Sequence, residues 1–408
     1  MARDDPEVVI AGGGMVGLTL SLALAQGGLQ VLLVDPLPFP KTLAAEFDGR
    51  VSAISYSSAR MLGVLGVWEK LKPDAEPIRD ILVTDARIGR SPSPFSLHFD
   101  HCEIGEPMGY IAENRHIRAA LVQCAAAAPT LEIAVPDRVA AFQASPMGIA
   151  IELERGRSVL PSLLVAAEGR DSTSREQADI GVVSWSYPQR AIVATVEHER
   201  PHNGTAYEHF LPSGPFAILP MTGNRSSLVW TEREEIANSV LNLPQQDFES
   251  EIGRRFGAHL GTTRLSGPRW SYPLSFHLAR EYVRPRFVLV GDTAHGIHPI
   301  AGQGLNLGFK DVAALAEVLL DAARLGLDFG ALEVLRRYEH WRRFDSFALA
   351  AATDALNRLF SNDLVPFRLA RDFGLGVVDT VGPLRRFFMR HAGGAVGTLP
   401  KLLRGDAA

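Results

Sequence analysis

Val8-Val9-Ile10-Ala11-Gly12-Gly13-Gly14-Met15-Val16-Gly17 lies near the start of the 408-residue chain, and its reading decides the fold. The first four residues are apolar and mostly β-branched, as in a strand buried on both faces of a parallel sheet. Gly12, Gly14 and Gly17 follow with the spacing G-x-G-x-x-G. Residues 15–25 carry no charge and read as a helix that Gly27-Gly28 ends. Residues 30–34 form a second apolar strand that runs into Asp35. Strand, glycine turn, helix, strand and acid are together the parts of a dinucleotide-binding unit. Gly12 permits the tight turn, Gly14 lets a pyrophosphate approach the backbone, and Gly17 lets helix and strand pack closely. The Met15 and Val16 amides at the helix start face the phosphates, aided by the helix dipole. Asp35 is placed to accept hydrogen bonds from a ribose. The motif alone does not separate NAD from FAD.

Composition narrows the field. Lys and Arg number 41 against 46 Asp and Glu, a net charge of −5 with pI about 6.2. That leaves no overall basic field for phosphates, so nucleic-acid binding is excluded. An apolar share of 46% and a charged share of 21% exclude disorder over most of the chain. A mass of 44.3 kDa implies one large domain or two interleaved ones. Cys102 and Cys124 have no partner pattern, which argues against a disulfide scaffold or a Cys-based zinc site and suits a reducing cytoplasm. No secretory signal is expected before the first strand, and no apolar run reaches the roughly 18 residues of a membrane span.

A second glycine-rich constellation lies far along the chain. Residues 286–290 read as another strand, followed by Gly291-Asp292-Thr293-Ala294-His295, His298-Pro299 and Gly302-Gln303-Gly304-Leu305-Asn306. An amphipathic helix is expected over about 305–325. Its free amides at Gly304, Leu305 and Asn306 suit an electron-rich ring edge. Asp292, at a strand end, is placed to bind a chain of hydroxyls. Two further segments belong with these: residues 163–167 running into Glu168-Gly169-Arg170-Asp171-Ser172, with Arg175 behind, and Asp48-Gly49-Arg50 after the second strand.

Together these residues resemble the flavin-dependent aromatic hydroxylases of the para-hydroxybenzoate hydroxylase fold, the class A flavin monooxygenases. Within that group the chain is most similar to the ubiquinone-biosynthesis hydroxylases. The resemblance rests on Asp48-Gly49-Arg50, on Glu113-Asn114-Arg115 and above all on residues 291–308, and it spans about residues 6–405. It departs from the family in having Asp35 where Glu is usual and Glu168 where Asp is usual. The resemblance implies an α/β protein with a Rossmann-like FAD-binding domain (1–75, 105–180 and 271–330). This is interleaved with a smaller antiparallel-sheet substrate domain (76–104 and 181–270), and a helical C-terminal region covers 331–408. It implies FAD held by Gly12, Gly14, Met15, Val16, Gly17, Asp35, Arg50, Arg115, Glu168, Gly169 and Asp292. Pro299, Gly302, Gly304, Leu305 and Asn306 would lie along the isoalloxazine ring, with Pro299, Gly302 and Gln303 as the catalytic positions.

The implied chemistry belongs to the flavin, while the protein supplies placement and electrostatics. NAD(P)H reduces FAD, O2 adds to give a flavin hydroperoxide, and its terminal oxygen attacks an electron-rich ring carbon of a phenol. Only one G-x-G-x-x-G is present, so NAD(P)H is expected to visit without its own Rossmann domain. The implied substrate is a polyprenylated phenol of ubiquinone biosynthesis. Two alternatives are a flavin hydroxylase of a small soluble aromatic and a flavin-bound assembly protein without turnover.

The middle of the chain reads as short strands at 191–196, 205–210, 216–220 and 226–230, with a helix over 245–256 and a return strand near 270–275. Tyr207, His209, Phe216, Leu219 and Pro220 are the candidate substrate contacts. No metal is expected: His295 and His298 lack a third ligand and read as loop histidines with backbone partners. Residues 232–235 read as a solvated helix start, and Arg336-Arg337 with Arg342-Arg343 as an exposed helix face. Trp230, Trp270 and Trp341 read as core or interface. Residues 366–404 carry seven Lys and Arg against two acids, with Phe387-Phe388-Met389 among them. That bias suggests contact with an anionic membrane surface or with a protein of a biosynthetic complex, and a cytoplasmic location peripheral to the inner membrane.

Overall fold

Val8–Ala11 forms the central strand of a six-stranded sheet because all four residues are buried. A computed structural model describes residues 5–39, 49–85, 96–297, 302–360, 378–394 and 397–408. Asp48, His298 and Pro299 lie outside the described residues. The sheet runs in the order Val283–Arg284, Phe287–Leu289, Leu163–Ala166, Val8–Ala11, Val31–Val34, Leu131–Ala134. Its pairs are parallel apart from the Val283–Arg284 edge. Strands that are apolar at every position fit such a sheet, since helices cover both faces.

Met15–Gln26 is the first of those helices, and residues 17 to 25 are buried without a break. It has no polar stripe because the sheet lies on one side and Gly304–Arg324 on the other. Its two buried hydroxyls bond back to their own helix, Thr19 to the Met15 carbonyl (2.6 Å) and Ser21 to that of Gly17 (2.8 Å). Each buried leucine contributes roughly 1.5–3 kcal/mol. Leu18, Leu20, Leu22 and Leu24, all at most 1% exposed, therefore anchor the helix.

The second large sheet has nine strands. Its main path is His295–Gly296, Trp270–Ala279, Val182–His198, Arg225–Arg233, Gly214–Met221, Thr205–Leu211, Asp80–Asp85, Ser96–Asp100. It is antiparallel except that Thr205–Leu211 runs parallel to Asp80–Asp85, where only antiparallel pairing was expected. Trp270–Ala279 pairs with Val182–His198 to its end, so the expected domain boundary at 270/271 falls inside a strand.

The two faces of this sheet differ. Ile192, Ala194, Phe216, Ile218, Leu228 and Trp230 point to one face, where Phe248, Ile252 and Phe256 of the Gln245–Phe256 helix cover them. Ala206, Phe210, Leu219 and Met221 point to the other. There they meet Val51 and Ala53 of the Val51–Ser55 strand, Ile111, and Met389 of the Gly382–Ala392 helix. The second face therefore looks toward the dinucleotide-type domain.

Two expectations about charge fail here. Arg342 is 2% exposed, not part of an exposed face, because it reaches inward to Asp311. Glu232 is 3% exposed and lies within the Arg225–Arg233 strand, accepting from Trp230 Nε1 (3.3 Å); the helix begins only at Glu234. In both cases a single residue of a charged run turns inward, and runs of charge carry no mark for it.

Candidate functional site

Gly12 sits at φ +110°, and a Cβ there would lie 2.4 Å from the Ala167 carbonyl oxygen. A Cβ at Gly17 would lie 1.9 Å from the Gly12 carbonyl oxygen. Both positions exclude any side chain, so the turn and the helix close tightly on the sheet. Gly14 behaves differently, since nothing lies within 4 Å of its missing Cβ. The turn is packed from below and open above, which is the form a pyrophosphate cradle requires.

Asp35 closes one side of the cradle. Its Oδ2 accepts from the Gly13 amide (2.6 Å) and its Oδ1 from the Leu37 amide (2.8 Å). Each carboxylate oxygen keeps a lone pair for a ribose hydroxyl.

Gly291 and Gly308 bring the distant constellation to the same place. Val16 packs against both, 3.1 and 2.7 Å from their missing Cβ positions. Gly304–Arg324 thus starts beside the N-terminus of Met15–Gln26. A Cβ at Gly304, as at Gly14, would meet nothing within 4 Å. Gly169 joins them through its amide, which donates to Thr293 Oγ1 (3.0 Å).

Met15 and Leu305 pack partly buried against the core beneath these turns. Gly302, at φ +61°, approaches Ala53, whose Cβ would be 3.1 Å from a Cβ there. Gln303 immediately precedes the helix and makes no side-chain capping hydrogen bond to it. Asn306 is 2% exposed and spends its side chain on protein. Its Nδ2 donates to the Ala53 carbonyl (2.9 Å), and its Oδ1 accepts from the Ser55 amide and the Ser58 hydroxyl (2.9 Å each). Only its backbone remains for a cofactor.

The remaining predicted cofactor residues divide. Arg50 is exposed, and Asp292 is half-exposed and paired with Arg170 at 3.5 Å. Glu168 turns inward, accepting from Ser172 Oγ (2.5 Å) and the Ser174 amide (3.1 Å), and so braces the first turn of the Thr173–Gln177 helix that Ser172 caps. Arg115 donates Nε to Glu113 (2.7 Å), a buried carboxylate that also holds Arg225 at 3.2 Å.

Arg170 and Tyr272 were missed by sequence reasoning. Arg170 Nη1 donates to Ser275 Oγ (2.7 Å) beside Asp292. Burial raises the Tyr272 hydroxyl, while the Arg50 and Arg170 guanidinium groups pull it down, so the three converge on one side of the cleft. Gly49 is pressed against the Trp270 ring, with a missing Cβ 2.0 Å from a ring carbon. The Glu168-Gly169-Arg170 run contained a signal for Arg170, whereas Tyr272 had none.

A buried charge network fixes the Gly291 turn. His295 Nε2 lies 2.5 Å from Asp311 Oδ2, which also accepts from the Gly291 amide (3.0 Å). Arg342 Nε donates to Asp311 Oδ1 (2.9 Å). Burial alone would raise the Asp311 carboxyl, but His295 and Arg342 hold it below the usual range. His295 therefore has a carboxylate partner, not the expected backbone one.

The five substrate candidates fall on different faces. Phe216 packs against the Gln245–Phe256 helix, as does Tyr207, and alternation puts His209 and Pro220 on the same far side. His209 Nδ1 meets Thr84 Oγ1 there (2.7 Å), and burial pushes its imidazole down to about 4. Leu219 alone of the five faces the dinucleotide-type domain. Alternating strands hide this choice from sequence, because both faces are apolar.

Comparison with known proteins agrees with this geometry. The model of the FAD binding domain family matches residues 5–344. The chain is 49% identical to ubiquinone hydroxylase UbiL of Rhodospirillum rubrum over 98% of its own length and 92% of the relative's. It is 34% identical to the 3-demethoxyubiquinol 3-hydroxylase of Escherichia coli, covering 96% of this chain and 99% of that one. The solved structure of p-nitrophenol 4-monooxygenase PnpA from Pseudomonas putida shares the fold, with a TM-score of 0.78 at 18% identity, over 97% and 99% of the two chains. The packed and open glycines, the acid bound to the Gly13 amide and these full-length matches lead to one conclusion: the chain belongs to the FAD-dependent monooxygenases, within the family of ubiquinone-biosynthesis hydroxylases.

Proposed function

We propose that this enzyme hydroxylates the aromatic ring of a polyprenylated phenol in ubiquinone biosynthesis. Bound FAD, reduced by NAD(P)H, supplies the activated oxygen from O2. The chain's residues position and shield. Gly14 and the two helix N-termini take the pyrophosphate and the ring edge, and Asp35 takes the ribose. Arg50 and Arg170, both near Tyr272, would supply positive charge beside bound FAD.

The observation that carries the substrate class is the sheet face that looks toward the FAD domain. Its partly exposed residues include Ile81, Val83, Leu219 and Val229. Arg225, at the end of that face, is held by Glu113 and Thr222. An apolar floor whose arginine beside Met221, Arg225, is already paired with a carboxylate suits a prenylated phenol better than a small aromatic acid. Quinone profiling in a deletion strain tests this: a prenylated phenol lacking one ring hydroxyl is expected to accumulate. An unchanged quinone pool refutes the reading. The purified enzyme is expected to oxidise NAD(P)H faster with such a phenol, and no stimulation by any of them would favour a scaffold.

Entry of so apolar a substrate calls for a membrane contact, and we infer that the Gly382–Ala392 helix provides it. Met389 is buried in the sheet's cluster, while Phe387 (51%) and Phe388 (42%) are exposed between exposed Arg386 and Arg390. Aromatics flanked by arginines suit an anionic lipid interface. Among the described residues no helix is long and apolar enough to cross a membrane. Flotation with anionic liposomes should carry the enzyme but not the Phe387→Ser/Phe388→Ser variant. Equal flotation refutes the contact.

A further inference from the structure

Glu208 is the one acid on the Thr205–Leu211 strand. Ala206 and Phe210 on either side of it point toward the FAD domain, and alternation sends Glu208 the same way. Its cross-strand neighbours are Val83 and Ala217, and Val229 lies beyond Ala217. The carboxyl therefore stands in the apolar floor just described, with Leu219 diagonal to it. Ala53 belongs to the same cluster and also touches the Gly302 turn, so this floor adjoins the place expected for the flavin ring.

Glu208 forms no hydrogen bond or ion pair with the described residues. The side chain nevertheless keeps partial solvent contact. An acid that is deep among apolar groups, unpartnered and still wetted lines a cleft awaiting a polar group. A prenylated phenol offers one such group, its ring hydroxyl.

Resting on the proposed substrate class, we propose that Glu208 accepts the proton of the substrate's ring hydroxyl. The phenol O–H bond breaks and a carboxyl O–H bond forms. The electron pair stays on the ring oxygen, where it enriches the ring carbon that is attacked. No oxidant or reductant enters this step. When the ring carbon later loses its hydrogen as a proton to solvent, the ring oxygen can retake the proton from Glu208.

Burial alone pushes the Glu208 carboxyl up to about 7, so it is poised to exchange a proton at neutral pH. The elements packed against this face present Val51, Ala53, Ile111 and Met389 to it. Asp85, paired with Phe210 on the neighbouring strand, and Arg225, paired with Met221 and held by Glu113, are ionisable side chains sharing the face.

The test uses the full-length, FAD-loaded enzyme with NAD(P)H and 2-(3-methylbut-2-enyl)phenol as probe. Product formation is followed from about pH 5.5 to 9 for wild type, Glu208→Gln and Glu208→Asp. Wild-type turnover is expected to rise through about pH 7. Glu208→Gln should lose roughly 100-fold in kcat and lose the inflection, with FAD content and the KM for NAD(P)H unchanged. Glu208→Asp should restore part of the rate with a displaced inflection. A Glu208→Gln enzyme within about twofold of wild type, or a flat wild-type profile, overturns the proposal. If Glu208→Gln fails to hold FAD, the wild-type and Glu208→Asp profiles decide. If wild type hydroxylates no phenol, the substrate reading fails instead. Probe binding, followed by flavin absorbance, must then show the inflection in wild type and not in Glu208→Gln, or the proposal falls too.

Discussion

Replacing Glu208 by Gln should stabilise this protein at alkaline pH and leave it unchanged in acid. An unfolded Glu titrates near 4.5, whereas the folded carboxyl is pushed up to about 7 by burial. Below the unfolded value both states hold the proton and nothing is lost. Between the two values the unfolded chain releases its proton and the folded chain does not, so stability falls as pH rises. Above about 7 the loss is complete. At about 1.4 kcal/mol per pH unit, a gap of about 2.5 units amounts to roughly 3 kcal/mol. Gln is nearly isosteric and carries no charge, so the variant escapes this loss. For a chain of this size the unfolding entropy converts roughly 3 kcal/mol into about 4 °C of Tm. Thermal unfolding at saturating FAD, at about pH 4.5 and pH 8, measures it. The other titrating groups are common to both proteins and cancel in the difference. A Tm difference that is the same at both pH values refutes the placement of Glu208 in an apolar floor.

Gly17→Ala puts a Cβ 1.9 Å from the Gly12 carbonyl oxygen, so the turn must open; the purified variant should lack flavin absorbance, and a yellow variant refutes the packing. Asp311→Asn removes the buried carboxylate shared by His295 and Arg342, leaving Arg342 only the half-exposed Asp345, and should cost about 3–5 kcal/mol, read by denaturant unfolding. Phe216→Ala should cost about 3–5 kcal/mol while leaving the KM for the phenol unchanged, because Phe216 packs with Trp230 on the far face. Leu219→Ala should do the reverse, raising that KM several-fold at little cost in stability. Swapped outcomes for this pair would reverse the assignment of the two sheet faces.

The dinucleotide unit was legible because its parts are local. A strand, a glycine turn, a helix and an acid lie within residues 8–35, and each has one conformation to adopt. The turn at Gly291–Thr293 and the helix start at Gly304 were legible for the same reason, each being a local glycine signal. The substrate face was not legible. Gly214–Met221 is apolar on both sides and Thr205–Leu211 carries His209 on one side and Glu208 on the other, so alternation names two faces without saying which one a cofactor domain will cover. The inward turn of Arg342 was hidden too. Its partner Asp311 is 31 residues away, on a helix that packs against its own only in the folded chain.

Sequence alone determined that this chain binds a dinucleotide, because Gly12, Gly14 and Gly17 stand between an apolar strand and a helix, with Asp35 ending the next strand. The tertiary structure decided which residues meet across the cleft. Packing of Val16 against Gly291 and Gly308 sets two helix N-termini side by side. The Gln245–Phe256 helix claims one face of the large sheet, which leaves Leu219 and Glu208 on the other. Those outcomes depend on close packing between segments hundreds of residues apart, and local pattern carries no information about such contacts.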